Sequence, residues 1–118
     1  MTLLHLISAA DWAEVRRTGE IRPLPGTGFV HLSTAEQVRL PAERLFAGRH
    51  DVLLLDVDPA GLDVRWEPGL PTDPGSMLFP HAYGTVPVSA VRAVTPYLPG
   101  PGGFDDPPSD RTVSAPTS

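Results

Sequence analysis

Leu4-His5-Leu6-Ile7-Ser8 and Gly28-Phe29-Val30-His31-Leu32-Ser33 decide how this chain is read. Each is a short apolar run that carries one histidine and ends in a hydroxyl residue. A run of four or five apolar residues bounded by turn or cap signals reads as a buried strand. A serine at its end can cap a helix. Between them lies a helix pattern: Ser8 with Asp11 three residues on, then Trp12, Val15 and the stem of Arg16 as an inner face, then Gly19 as a stop. Strand ends fixed by a core but open at the tip are where small folds present polar groups to a ligand.

Working outward, Thr34 with Gln37 predicts a second helix whose inner positions are Val38, Leu45 and Phe46 and which stops at Gly48. Pro41 inside it predicts a kink or a late start. Val52 to Val57 is the clearest strand, a Val-Leu-Leu-Leu-Asp-Val run. Asp58-Pro59-Ala60-Gly61 is a turn, with Asp58 as its cap. Leu62 to Trp66 reads as a strand, Glu67 to Gly75 as a Pro/Gly loop, Met77 to Phe79 as a short strand and Val91 to Leu98 as the last strand. Early helices followed by several strands predict an α+β domain over residues 1–98, not a doubly wound sheet. Residues 99–118 are rich in proline, glycine and aspartate, which predicts a disordered tail.

The 118 residues suffice for one domain with a modest core. Cysteine is absent, so disulfides and thiolate metal sites are excluded. All nine basic residues are arginine, which excludes Schiff-base chemistry and a P-loop lysine. A formal net charge of −5 disfavours non-specific nucleic-acid binding. No run approaches the roughly 20 apolar residues of a membrane span, and the start lacks the basic region of a signal peptide. A cytoplasmic protein without a membrane partner is expected.

Chemistry-bearing residues gather in a few places. His5 and His31 lie on different strands, and a neutral imidazole can bond a ribose hydroxyl or ligate a metal. Arg65-Trp66-Glu67 sets a cation and a carboxylate two residues apart, on one face of a strand. Glu67 can act as a base or orient a sugar hydroxyl. Phe79-Pro80-His81-Ala82-Tyr83-Gly84 puts an imidazole and a phenol on one face if extended. His50-Asp51 reads as a solvated turn. Glycine-rich phosphate loops, a serine elbow and zinc-protease patterns are all missing from the sequence.

Over residues 3–98 these motifs resemble a small bacterial family known as domain of unknown function 952. The residues that carry the resemblance are Leu4-His5, Asp11-Trp12, Gly28 to Thr34, Arg65-Trp66-Glu67 and Leu78 to Gly84. The front half is also similar to the ADP-ribosyltransferase-like domain of RNA 2′-phosphotransferases. There a histidine strand, a tryptophan-bearing helix, a glycine stop and a histidine–valine–histidine–leucine strand follow one another. His5-Leu6-Ile7-Ser8, Trp12, Gly19 and Val30-His31-Leu32 stand in those places.

That resemblance implies a split, strongly bent sheet with two helices from the front half, and NAD as the cofactor. It gives His5 the adenosine ribose and His31 the nicotinamide side. The third motif of typical ADP-ribosyltransferases is a strand-starting glutamate; here His81 takes its place and Glu67 lies on an earlier strand. His81, His31 and Glu67 are thus the expected catalytic residues. His5, Ser8, His31, Arg65 and Tyr83 are the expected contacts of a small-molecule nucleotide, with no metal. Possible reactions are ADP-ribose transfer or processing of a 2′-phosphate. Two alternatives stand beside this reading: a nucleotide-binding module without turnover, and a divalent metal site built from His5, His31, His81 and Glu67.

Overall fold

The computed structural model describes residues 2–69 and 77–107. It is an α+β domain of two helices and antiparallel sheets. In chain order the elements are β1 (Leu3–Ser8), α1 (Ala9–Thr18), β2 (Glu20–Ile21), β3 (Phe29–His31), α2 (Arg39–Phe46), β4 (Val52–Val57), β5 (Asp63–Pro68), β6 (Leu78–Tyr83), β7 (Val86–Pro87), a 3-10 turn (Val88–Ala90) and β8 (Val91–Pro96). Among the described residues no helix is long and apolar enough to cross a membrane.

Local chemistry fixes α1. The Ser8 hydroxyl accepts from the Asp11 amide at 3.1 Å, satisfying a donor that the helix itself leaves free. At the other end Gly19 takes φ +90° and its N–H donates to the Val15 carbonyl at 2.7 Å. That left-handed turn is open to glycine without steric cost.

α2 takes the late start that Pro41 predicts and departs from expectation in its inner face. The Gln37 side chain does reach back to the Thr34 amide at 3.1 Å, but residues 35–38 form turns and the helix begins only at Arg39. Pro41 then falls in the first turn, where a missing N–H costs nothing. Leu45, expected inside, is 62% exposed, because the helix packs through Val38 and Ala42 instead.

Two three-stranded antiparallel sheets carry the domain, ordered β1-β4-β8 and β3-β6-β5, and β2 pairs with β7. In the first sheet both faces are covered. Leu3, Ile7, Leu55 and Val57 join α1's Val15 in one core. Leu4, Val52 and Leu54 point the other way, into a second core with Val38, Ala42, Tyr97 and Phe104. Each leucine, isoleucine, valine or phenylalanine among them stabilises the fold by about 1.5–3 kcal/mol when fully buried.

The two sheets meet at a fork. β3 runs along β6 as far as His31, and the Leu32 amide still reaches the Pro80 carbonyl at 3.0 Å. Ser33 then exchanges both backbone bonds with Leu4 of β1, each 2.8 Å long. Pro80 sits inside β6, the central strand of its sheet, so the expected short strand at 77–79 extends through Tyr83. Likewise Glu67 and Pro68 are strand rather than loop. Residues 70–75 of the expected loop lie outside the described residues.

The expected disordered tail is corrected at its start. Residues 99–107 fold back on the second core, with Phe104 only 2% exposed. Gly100 and Gly103 exchange backbone bonds of 2.8 and 3.1 Å, closing a tight turn that brings the ring inward. Phe104 is the aromatic anchor in this otherwise polar stretch. Residues 108–118 lie outside the described residues.

Candidate functional site

The register of the second sheet assembles the site. His31 of β3, His81 of β6 and Arg65 of β5 form one cross-strand row; Phe29, Tyr83 and Asp63 form the next. Paired residues share a face, and alternation sends Val30, Ala82 and Val64 to the core side. Glu67, two residues beyond Arg65, lies on the polar face as the spacing predicts.

On that face His81 is held from two directions. Its Nδ1 is 2.8 Å from Glu67 Oε1, and the ring stacks on Phe29 at 4.0 Å between centroids with an 11° tilt. The Tyr83 hydroxyl donates to both oxygens of Glu67, at 2.7 and 2.9 Å. The bonds from Tyr83 first, and His81 second, hold the Glu67 carboxyl below its ordinary range, while the carboxylate pushes the Tyr83 phenol up. An anionic Glu67 requires Nδ1 of His81 to carry a proton. Nε2 is then the ring atom left to meet another molecule. His81 is 5% exposed, more deeply set than ligand contact alone demands.

His31 packs edge-on against His81, 5.1 Å between centroids. Desolvation lowers its pKa, helped by the nearby His81 and then Arg44. His5 reaches the same place from the first sheet, its Nδ1 donating to the His31 carbonyl at 2.8 Å. Burial lowers the His5 pKa, outweighing that bond. Both histidines are therefore biased toward the neutral form.

The fork opens a cleft of two lobes. One, of about 330 Å³, is walled by Phe29, His31, His81 and Phe79 on one side and by Pro41, Arg44 and Leu45 of α2 on the other. The second, of about 280 Å³, holds His5, Ser8, Asp11 and Arg22 over an apolar floor. His31, Ser33, Leu24, Pro41 and Leu45 border both.

So the structure brings His5, His31 and His81 along one cleft, and leaves the other expected residues beside it. Glu67 and Tyr83 stand behind His81 rather than in either lobe. Arg65 lies 4.1 Å over the Tyr83 ring and pairs with Asp63 at 2.9 Å, away from the lobes. Ser8 borders the second lobe, but its hydroxyl is already engaged with α1. Trp66, between Arg65 and Glu67, projects from the opposite face of β5. Phe29 walls the first lobe; its place two residues before His31 on a strand was the signal for it. Arg44 and Arg22 were missed, because nothing in sequence ties α2 or the β2 end to the histidine strands. Among the described residues no three histidine, aspartate or glutamate side chains are grouped to hold a metal ion.

The family model described as "Protein of unknown function (DUF952)" matches residues 6–94. The crystal structure of protein CC0527 from Caulobacter crescentus superposes with a TM-score of 0.74 at 28% identity, covering 88% of this chain and 92% of that one. The solution NMR structure of the same protein gives 0.71 at 29% identity, over 87% and 90%. No curated protein matches the chain. With the family model spanning most of its length, the chain belongs to the DUF952 family.

Proposed function

We propose that the two-lobed cleft binds a nucleotide carrying ribose and pyrophosphate, NAD or ADP-ribose, and that the domain is ADP-ribosyltransferase-like. The observation that carries this reading is the pair of ring-sized lobes joined at His31, each with an imidazole to meet sugar hydroxyls. A ligand with rings at both ends of a flexible linker matches that shape. The aromatic wall at Phe29 and Phe79 suits a flat ring. Arg44 and Arg22 give each lobe a cation for phosphate oxygens.

The Glu67–His81 pair supplies the chemical step of this reading. With Nδ1 held by the carboxylate, Nε2 of His81 is an oriented base. In ADP-ribose transfer the bond from nicotinamide nitrogen to ribose C1′ breaks, and its electron pair leaves with neutral nicotinamide. The acceptor oxygen bonds C1′ and gives its proton to His81. Glu67 and Tyr83 act through His81 by orienting it.

Calorimetric titration with NAD and ADP-ribose tests binding, and release of nicotinamide tests turnover. His5→Ala is expected to weaken binding by about 1–3 kcal/mol, as for a ribose hydroxyl losing its buried partner. His81→Ala is expected to spare binding more than turnover. Binding without nicotinamide release favours the module without turnover. No heat at millimolar ligand overturns the proposal.

A further inference from the structure

The short helix that walls both lobes is tied down from behind. α2 has eight residues, begins without a side-chain cap, and contains Pro41. A helix of that length does not hold itself in water and depends on what it packs against. At 3.6 residues per turn, Pro41, Arg44 and Leu45 fall on one side and face the cleft. Arg39 and Glu43 fall on the other.

The C-terminal segment engages that second side. The Phe104 amide donates to Glu43 Oε2 at 2.7 Å, and the Phe104 ring is buried with Val38, Ala42 and Tyr97. The Tyr97 hydroxyl donates to the Asp105 carbonyl, and Arg39 meets Asp106 at 3.5 Å. Gly103 has φ +106°, and a Cβ there would sit 1.9 Å from Glu43 Oε2. Any other residue at 103 forces the Glu43 carboxylate to shift and is strained by the positive φ as well.

We infer that residues 97–106 form a clasp that sets the position of the α2 wall of the cleft, with Glu43 and Phe104 as its positioning residues. The inference rests on reading the cleft as a ligand site. Burial of Phe104 alone would hold the helix near the core, because apolar packing is non-directional. A charge-assisted hydrogen bond is directional. It fixes the height and rotation of the helix, and so where Arg44 and Leu45 stand against His31 and His81.

The test compares the full chain with Glu43→Ala, Glu43→Gln and Gly103→Ala, each held well below its own melting temperature. Affinity for ADP-ribose is read by calorimetry, and the ring-proton signals of His31, next to Arg44, by NMR. Glu43→Ala and Gly103→Ala are expected to weaken binding about tenfold, in the range of coupling through packed elements, and to move the His31 signals. Glu43→Gln keeps an acceptor for the Phe104 amide and should stay within about twofold on the same scale. A Glu43→Ala protein that melts earlier yet keeps wild-type affinity and His31 signals overturns the clasp as a positioning device. If the wild-type chain itself takes up no ADP-ribose, the ligand reading falls, and the His31 signals alone decide: unmoved signals overturn the clasp.

Discussion

The two sheets are built alike and used differently. In β1-β4-β8 the central strand β4 is covered on both faces, and Leu54, Leu55 and Val57 are at most 1% exposed. In β3-β6-β5 only one face meets the core; the other carries His31, His81, Tyr83, Arg65 and Glu67. The first sheet stores stability, and the second displays chemistry over it. A display face needs polar groups near water, and a domain of this size keeps them only where another part of the sheet holds the fold.

Truncation separates the two most sharply. Leu55→Ala, at a fully buried position of β4, should cost about 2–5 kcal/mol from lost transfer energy and the cavity left behind. Urea unfolding reads this directly. A loss below 1 kcal/mol, as for a surface position, would erase the contrast between the sheets.

Acid should act first where the sheets meet, with a smaller effect. His5 and His31 both have folded pKa values below the ordinary 6.5, so the unfolded chain binds more protons in that window. Their contribution is complete above 6.5 and falls as pH drops toward their folded values. Glu67 is depressed below 4.5, so its share is present above that value and lost at lower pH. Stability should therefore decline in two stages on acidification. His5→Gln, which keeps a donor for the His31 carbonyl, should flatten the first stage. Unfolding curves that stay level as pH falls below 6.5 would contradict the neutral bias.

The smallest effect belongs to the rim. Arg65→Ala removes a solvent-exposed pair with Asp63 and should leave the melting temperature close to that of the wild type. A thermal melt showing a clear loss would mean that the stacking of Arg65 over Tyr83 braces the Glu67 network.

Much of this was legible in the chain. β4 occupies the run expected of it, and α1 has the cap and stop that Ser8 and Gly19 announce. Two-residue spacing placed Arg65 with Glu67 and His81 with Tyr83, because alternation is local. Three matters lay beyond local reading. β6 passes through Pro80, which as sequence argues for an end. The Gln37 side chain donates to the Leu78 carbonyl at 2.5 Å, a tie across 41 residues that no spacing announces. Residues 99–107 hold through Phe104, whose pocket is assembled from three other parts of the chain. Which lobe each histidine meets depends on how two sheets join, and no spacing encodes that.

Pro80 explains how they join. In an antiparallel strand a residue's N–H and C=O point the same way, and the Pro80 carbonyl points at β3, where it takes the Leu32 amide. The matching donor toward β3 does not exist, because proline has none. Pairing therefore runs like a zip to a stop, and the chain past Leu32 is released to close a different seam with β1. The gap where the two seams diverge is the cleft. Its opening is thus fixed by the backbone chemistry of a residue buried beneath it, so side chains of the lining can change while the mouth stays where the zip stops.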